Sequence, residues 1–98
     1  MLKTEPNARF HLVAAIGVVS AGFYFDVSRY DWIILLILIA LVFAAELVNS
    51  AIEYLCDELH PDQNKNIGHV KDMAAGAVLV ISIAAAVVGV LVFWKYLV

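Results

Sequence analysis

Long apolar runs separated by short polar ones make up the whole chain, and the runs predict its elements. Met73–Trp94 is interrupted only by Ser82 and reads as a full membrane-spanning helix, since about 20 mostly apolar residues cross the hydrocarbon core. Trp32–Ala45 is continuous but short, and reaches that length only by running on through Glu46, Asn49, Ser50 and Glu53 to about Cys56. Phe10–Phe25 is the weakest run, diluted by His11 and Ser20. None shows period-2 alternation, and a backbone in lipid must satisfy its own hydrogen bonds. The predicted class is therefore all-α, an integral membrane bundle of three transmembrane helices spanning about 10–25, 32–56 and 73–94. With no repeat or linker to divide it, the sequence reads as one membrane-embedded domain over residues 1–98.

The charged positions cluster between or at the ends of these runs, at Lys3–Arg9, Asp26–Asp31, Glu46–Asp72 and Lys95. Lys3, Arg9 and His11 precede the first span, and Lys65, His69 and Lys71 lie between the second and third, where His60–His69 reads as a polar loop. By the positive-inside rule the N-terminus and this second loop are cytoplasmic, with Lys95 running against the trend. Trp32, Trp94, Tyr24, Tyr30 and Tyr96 fall at span ends, as interfacial aromatics do. Ala14, Ala15, Gly17, Ala21 and Gly22 in the first span, and Ala74–Gly76, Ala84–Ala86 and Gly89 in the third, would let helices approach closely. A compact bundle or oligomer is the expectation.

Composition strengthens this picture. The chain is 64% hydrophobic and only 15% charged, with a mean hydropathy of +0.93, too little polar surface to cover so small a soluble core. A net charge of −3 and the lack of a basic patch argue against nucleic acid as a partner. The single cysteine, Cys56, allows no internal disulfide and reads as packing. No cleavable signal peptide is predicted, because bulky Phe23, Tyr24 and Phe25 end the first run where small residues would be needed.

Chemistry concentrates on the second span. Glu46, Asn49, Ser50, Glu53 and Asp57, at about 100° per residue, share a sector of about 100° on one helical face. A carboxylate in hydrocarbon is costly unless paired, neutralised or metal-bound, so such a residue is a functional candidate by default. The bland reading places Glu53 and Asp57 in the headgroup region, merely solvated. Glu46 and Glu53 lie about 10 Å apart along the axis, too far to share a proton or one ion, and so call for different tasks. The outer one suits a hard cation such as Mg²⁺ bridging nucleotide phosphates, and the deeper one suits a base taking a proton from a lipid hydroxyl, with Asn49 orienting it. Lys71–Asp72 at the mouth of the third span could engage a nucleotide, although spacing equally allows Lys71 to snorkel and Asp72 to cap the helix. No Gly-rich phosphate loop of a known kind is present. The residues alone also allow a small cation- or proton-coupled transporter working through Glu46.

The pattern Ala45-Glu46-Leu47-Val48-Asn49-Ser50-Ala51-Ile52-Glu53, then Asp57, then Lys71-Asp72-Met73-Ala74-Ala75-Gly76-Ala77-Val78, resembles the prokaryotic diacylglycerol kinase family, undecaprenol kinases of Gram-positive bacteria included. Lys3–His11 is similar to the family's segment entering its first span, so the likeness covers nearly the whole chain. It implies a homotrimer in the bacterial cytoplasmic membrane, with sites between subunits, moving the γ-phosphoryl group of Mg-ATP to a lipid alcohol. By the same resemblance Glu5 and Glu53 are metal-binding carboxylates that also hold the nucleotide, Glu46 is the general base, Asn49 its active-site neighbour, and Lys71 and Asp72 nucleotide contacts. Arg9, Glu46 and Asn49 are the expected substrate contacts. Two departures stand out: the amphipathic surface helix that usually precedes the segment seen here, and a loop histidine whose position is taken by Asn64. Gly22–Phe25 and His11–Ala15 look more like the undecaprenol kinase branch.

Overall fold

A computed structural model describes residues 6–59 and 65–98, with side chains from residue 9 onward in the first of these stretches. Three helices account for nearly all of it: α1 (Pro6–Phe25), α2 (Arg29–Leu59) and α3 (Lys65–Leu97). They lie side by side in a slender body of 52 × 23 × 17 Å, with α2 in the middle, packed most extensively on α3 and less on α1. α2 and α3 are long and apolar enough to cross a membrane; the apolar stretch of α1, Arg9–Phe25, is shorter.

Packing within the chain follows a seven-residue repeat. On α3 the covered positions include Ile67, Lys71, Ala74, Val78, Ile81, Ala85, Val88 and Val92, spaced alternately by four and three. On α2 the matching rows are Leu35, Val42, Asn49 and Cys56, and Ile39, Glu46 and Glu53. This is the seam of two helices that wind around each other. The rest of the surface is just as apolar. Phe10, Phe23, Leu36, Ile37, Leu79, Val80, Ile83 and Leu91 are each more than half exposed. Such an exterior is suited to lipid, which solvates apolar side chains as readily as a protein core does.

The tightest packing sits at the α1–α2 turn. Asp26 takes a left-handed conformation (φ 50°), the Asp26 N–H donates to the Phe23 carbonyl (3.3 Å) and the Val27 N–H to the Gly22 carbonyl (3.1 Å), closing α1 with a Schellman motif. Ser28 then starts α2, its Oγ accepting from the Asp31 N–H at 3.2 Å as an N-cap. Val27, Leu35 and Val92 form a small core beneath, flanked by Phe25, Trp32, Phe93 and Tyr96. The Lys95 ammonium lies 2.9 Å from the buried Asp31 carboxylate, which also accepts from the Tyr96 hydroxyl. Lys95 is therefore a paired charge at this end of the bundle. Trp32 and Tyr96 also differ from expectation, because they pack inside this cluster, whereas Tyr24, Tyr30 and Trp94 face outward.

Only at Gly22 do the glycines meet a close approach among the described residues: a Cβ there would lie 2.5 Å from the Trp32 ring. That indole also lies against Phe23 in a tilted contact (4.9 Å between centroids), which it would have to give up to move aside. Gly22→Val is expected to destabilise the detergent-solubilised chain by about 1–3 kcal/mol, the usual cost of overpacking. An unchanged thermal unfolding curve would contradict this packing. Gly17, Gly76 and Gly89 have open space around them instead, so these three glycines do not draw helices together inside one chain.

Candidate active site

The seam of α2 carries the polar stripe as well as the packing, and the two coincide because both repeat every seven residues. Cover over the stripe falls steadily along the helix: Glu46 is 1% exposed and Asn49 7%, Glu53 is half-buried, and the Asp57 side chain is 65% exposed. A carboxylate as deeply covered as Glu46 cannot be explained as a solvated surface group.

Lys71 on α3 pairs with Asp57, and Glu53 adds to the negative field around it. That pairing fixes the antiparallel register of α2 and α3. Eleven residues inward along each helix from the pair stand Glu46 and Ser82, so these two share one level, about 16 Å along the axis from Lys71. Glu46 Oε2, Asn49 Oδ1 and Ser82 Oγ are all buried without a hydrogen-bond partner. Buried polar atoms are normally satisfied, so three orphans at neighbouring depth make this level of the bundle the candidate site. A groove of about 290 Å³ opens beside Ser82, lined by apolar residues of all three helices such as Ala14, Leu38, Val42 and Ala85, with His11 and Ser82 as its polar members; Glu46 and Asn49 lie behind its lining.

α1 supplies a residue to which the sequence gives no site role. His11 is largely covered, and its Nε2 lies 3.3 Å from Glu46 Oε2, although off the direction of a good hydrogen bond. Nothing in the sequence fixed the register of α1 on α2, so this meeting could not have been foreseen. Ser82 was visible as the lone polar residue of the third apolar run, but its level opposite Glu46 was not.

The other expected site residues are placed as follows. Arg9 is exposed at the start of α1. Lys71 is partly covered by its partner Asp57 and does not snorkel alone. Asp72 is exposed in the second turn of α3, which begins at Lys65, so it does not cap that helix, and His69 is helical where a loop was expected. The helix starts early because Ile67, Lys71 and Ala74 already follow the heptad of α3. Glu5, Asn64 and His60 lie outside the described residues. Among the described residues no three His, Cys, Asp or Glu side chains converge as a ready-made metal cage.

Comparison with known proteins gives the family. Residues 1–93 match the family model described as prokaryotic diacylglycerol kinase. The undecaprenol kinase of Bacillus subtilis (strain 168) is 37% identical over 91 residues, covering 93% of this chain and 74% of the relative. The diacylglycerol kinase of Escherichia coli (strain K12) is 30% identical over 84 residues, 86% of this chain and 69% of its own. A diacylglycerol kinase of Synechocystis sp. is 32% identical over 87 residues, which are 88% of this chain but 50% of that protein. A match running from the first residue to the last turn of α3, with the acidic stripe and Lys71–Asp72 inside it, leaves one conclusion: the chain belongs to the prokaryotic diacylglycerol kinase family.

Proposed function

We propose that the chain transfers the γ-phosphoryl group of ATP to the primary hydroxyl of a membrane lipid alcohol, undecaprenol in preference to diacylglycerol. Family membership makes it a lipid kinase and sets aside the transporter that a buried carboxylate alone would allow. The observation that carries the site is Glu46, 1% exposed, buried with Asn49 and Ser82 at the level of an apolar groove that His11 and Ser82 help to line. A lipid hydroxyl could be presented there, while a water-soluble acceptor could not.

In this reading Glu46 accepts the hydroxyl proton and Asn49, one turn away, orients the acceptor. Lys71 and Asp72, with Glu53 and Glu5, hold the nucleotide toward the polar end, and Arg9 borders the lipid headgroup. Mg²⁺ fits what is there. It characteristically takes one or two carboxylates and fills its other positions with phosphate oxygens and water, which a half-buried Glu53 suits better than a closed cage would. When bound, it would neutralise charge on the transferring phosphates.

We place the N-terminus and the α2–α3 connection on the cytoplasmic side of a bacterial membrane, as a single domain crossing it three times and assembling as a homotrimer. Open space at Gly17, Gly76 and Gly89 supports contact with further copies of the chain, and a slender triad encloses too little by itself. Native mass measurement in lipid giving only monomer would contradict that assembly. Substrate choice follows from the greater identity to the undecaprenol kinase of B. subtilis than to the E. coli diacylglycerol kinase. With both lipids competing in one mixed-micelle assay, undecaprenol should take most of the phosphate; a preference for diacylglycerol would reverse the assignment.

A further inference from the structure

We propose that His11 is the positioning residue for Glu46: its Nε2–H holds one carboxylate oxygen in place so that the other faces the lipid hydroxyl. The inference rests on the reading of Glu46 as the base. Its ground is geometric. His11 and Glu46 come from different helices, His11 is 13% and Glu46 1% exposed at the side chain, and Nε2 stands 3.3 Å from Oε2. Asn49 and Ser82 stand nearby with oxygens of their own unpaired.

A base in an apolar site faces two difficulties. An isolated carboxylate is poorly solvated there, and free rotation about its side chain would spread its oxygens over directions useless to the substrate. A donor N–H from a neighbouring helix answers both, because it stabilises the ionised carboxylate and fixes its plane. Catalytic hydrogen bonds without substrate are commonly long or misaligned and tighten when the reactants are seated, as the 3.3 Å approach here would. Imidazole also has the needed reach: the contact is made by the distal nitrogen, across the gap between α1 and α2.

The step balances without any change at His11. The lipid hydroxyl oxygen forms a bond to the γ-phosphorus as the bond from that phosphorus to the bridging oxygen of ADP breaks. The hydroxyl proton passes to the free oxygen of Glu46. His11 keeps its own proton throughout, and is therefore a positioning residue and not a second base.

Two polar replacements separate reach from mere polarity. In His11→Gln the amide nitrogen sits near the place of Nε2 and can donate to Glu46; in His11→Asn it reaches only as far as Nδ1 did. With the full chain in mixed micelles, undecaprenol and Mg-ATP, H11N is expected to lose about 10–100-fold in kcat, the usual cost of losing an orienting partner. Its KM for ATP should stay unchanged, H11Q should recover most of the loss, and H11N should add little further loss in an E46Q background, since both act through one carboxylate. Equal activity of H11N and H11Q, or a full additional loss on top of E46Q, would overturn the proposal. E46Q turning over like the unsubstituted chain would instead remove the base assignment itself, a result that can be told apart because it does not involve His11.

Discussion

Glu46→Gln is expected to lower turnover by about 10²–10⁴-fold while Mg-nucleotide affinity stays near that of the unsubstituted chain. Glutamine keeps the volume and the hydrogen-bonding reach of glutamate but cannot take a proton, so the loss should fall on the chemical step. Glu46 is 1% exposed beside His11, and the substitution conserves volume at that buried position, which should leave folding intact. Nucleotide affinity measured beside kcat separates the two effects. Loss of Mg-nucleotide binding in this variant would mean that Glu46 belongs to the nucleotide site.

The second large effect belongs to Glu53, two helical turns further along the same seam and half-buried. Glu53→Gln removes a charged oxygen from a hard-cation site, and a neutral amide is a weaker ligand for Mg²⁺. Metal-nucleotide affinity should fall by about 10–100-fold, with raised Mg²⁺ restoring part of the activity. Glu46→Gln should show no such rescue. A Mg²⁺ titration of both variants in mixed micelles reads the difference. If Glu53→Gln bound Mg-nucleotide normally, the division of tasks between the two carboxylates would be wrong.

Much of this arrangement was legible in the chain, for physical reasons that can be named. Three apolar runs, broken by Asp26–Asp31 and His60–Lys71, announce three helices because charge is expensive inside lipid. The stripe from Glu46 to Asp57 is legible for the same reason, since each polar residue stands out against an apolar background. What was hidden is the register. Lipid-facing and packed positions carry the same residue types here, so the heptad of α2 and α3 leaves little trace in hydrophobicity. The early start of α3 at Lys65 escaped notice because Lys65–Lys71 is polar, and polar residues between spans read as a loop even when they are helical. His11 opposite Glu46, and Ser82 at the same level, depend entirely on how the helices slide against one another. Asp31 with Lys95 and Tyr96 is a further case, joining residues more than sixty positions apart.

The central claim is that the chain phosphorylates a lipid alcohol through Glu46, and phosphate transfer reads it directly. The full chain in mixed micelles would be given ATP labelled at the γ-phosphate and Mg²⁺, with undecaprenol, with diacylglycerol, or with neither, and the label followed into the extracted lipid. The expected result is label in the lipid only when an alcohol is supplied, ADP formed in equal amount, and both reduced at least about 100-fold by Glu46→Gln. ATP consumption independent of any lipid alcohol, or undiminished label transfer by the Glu46→Gln variant, would contradict the account.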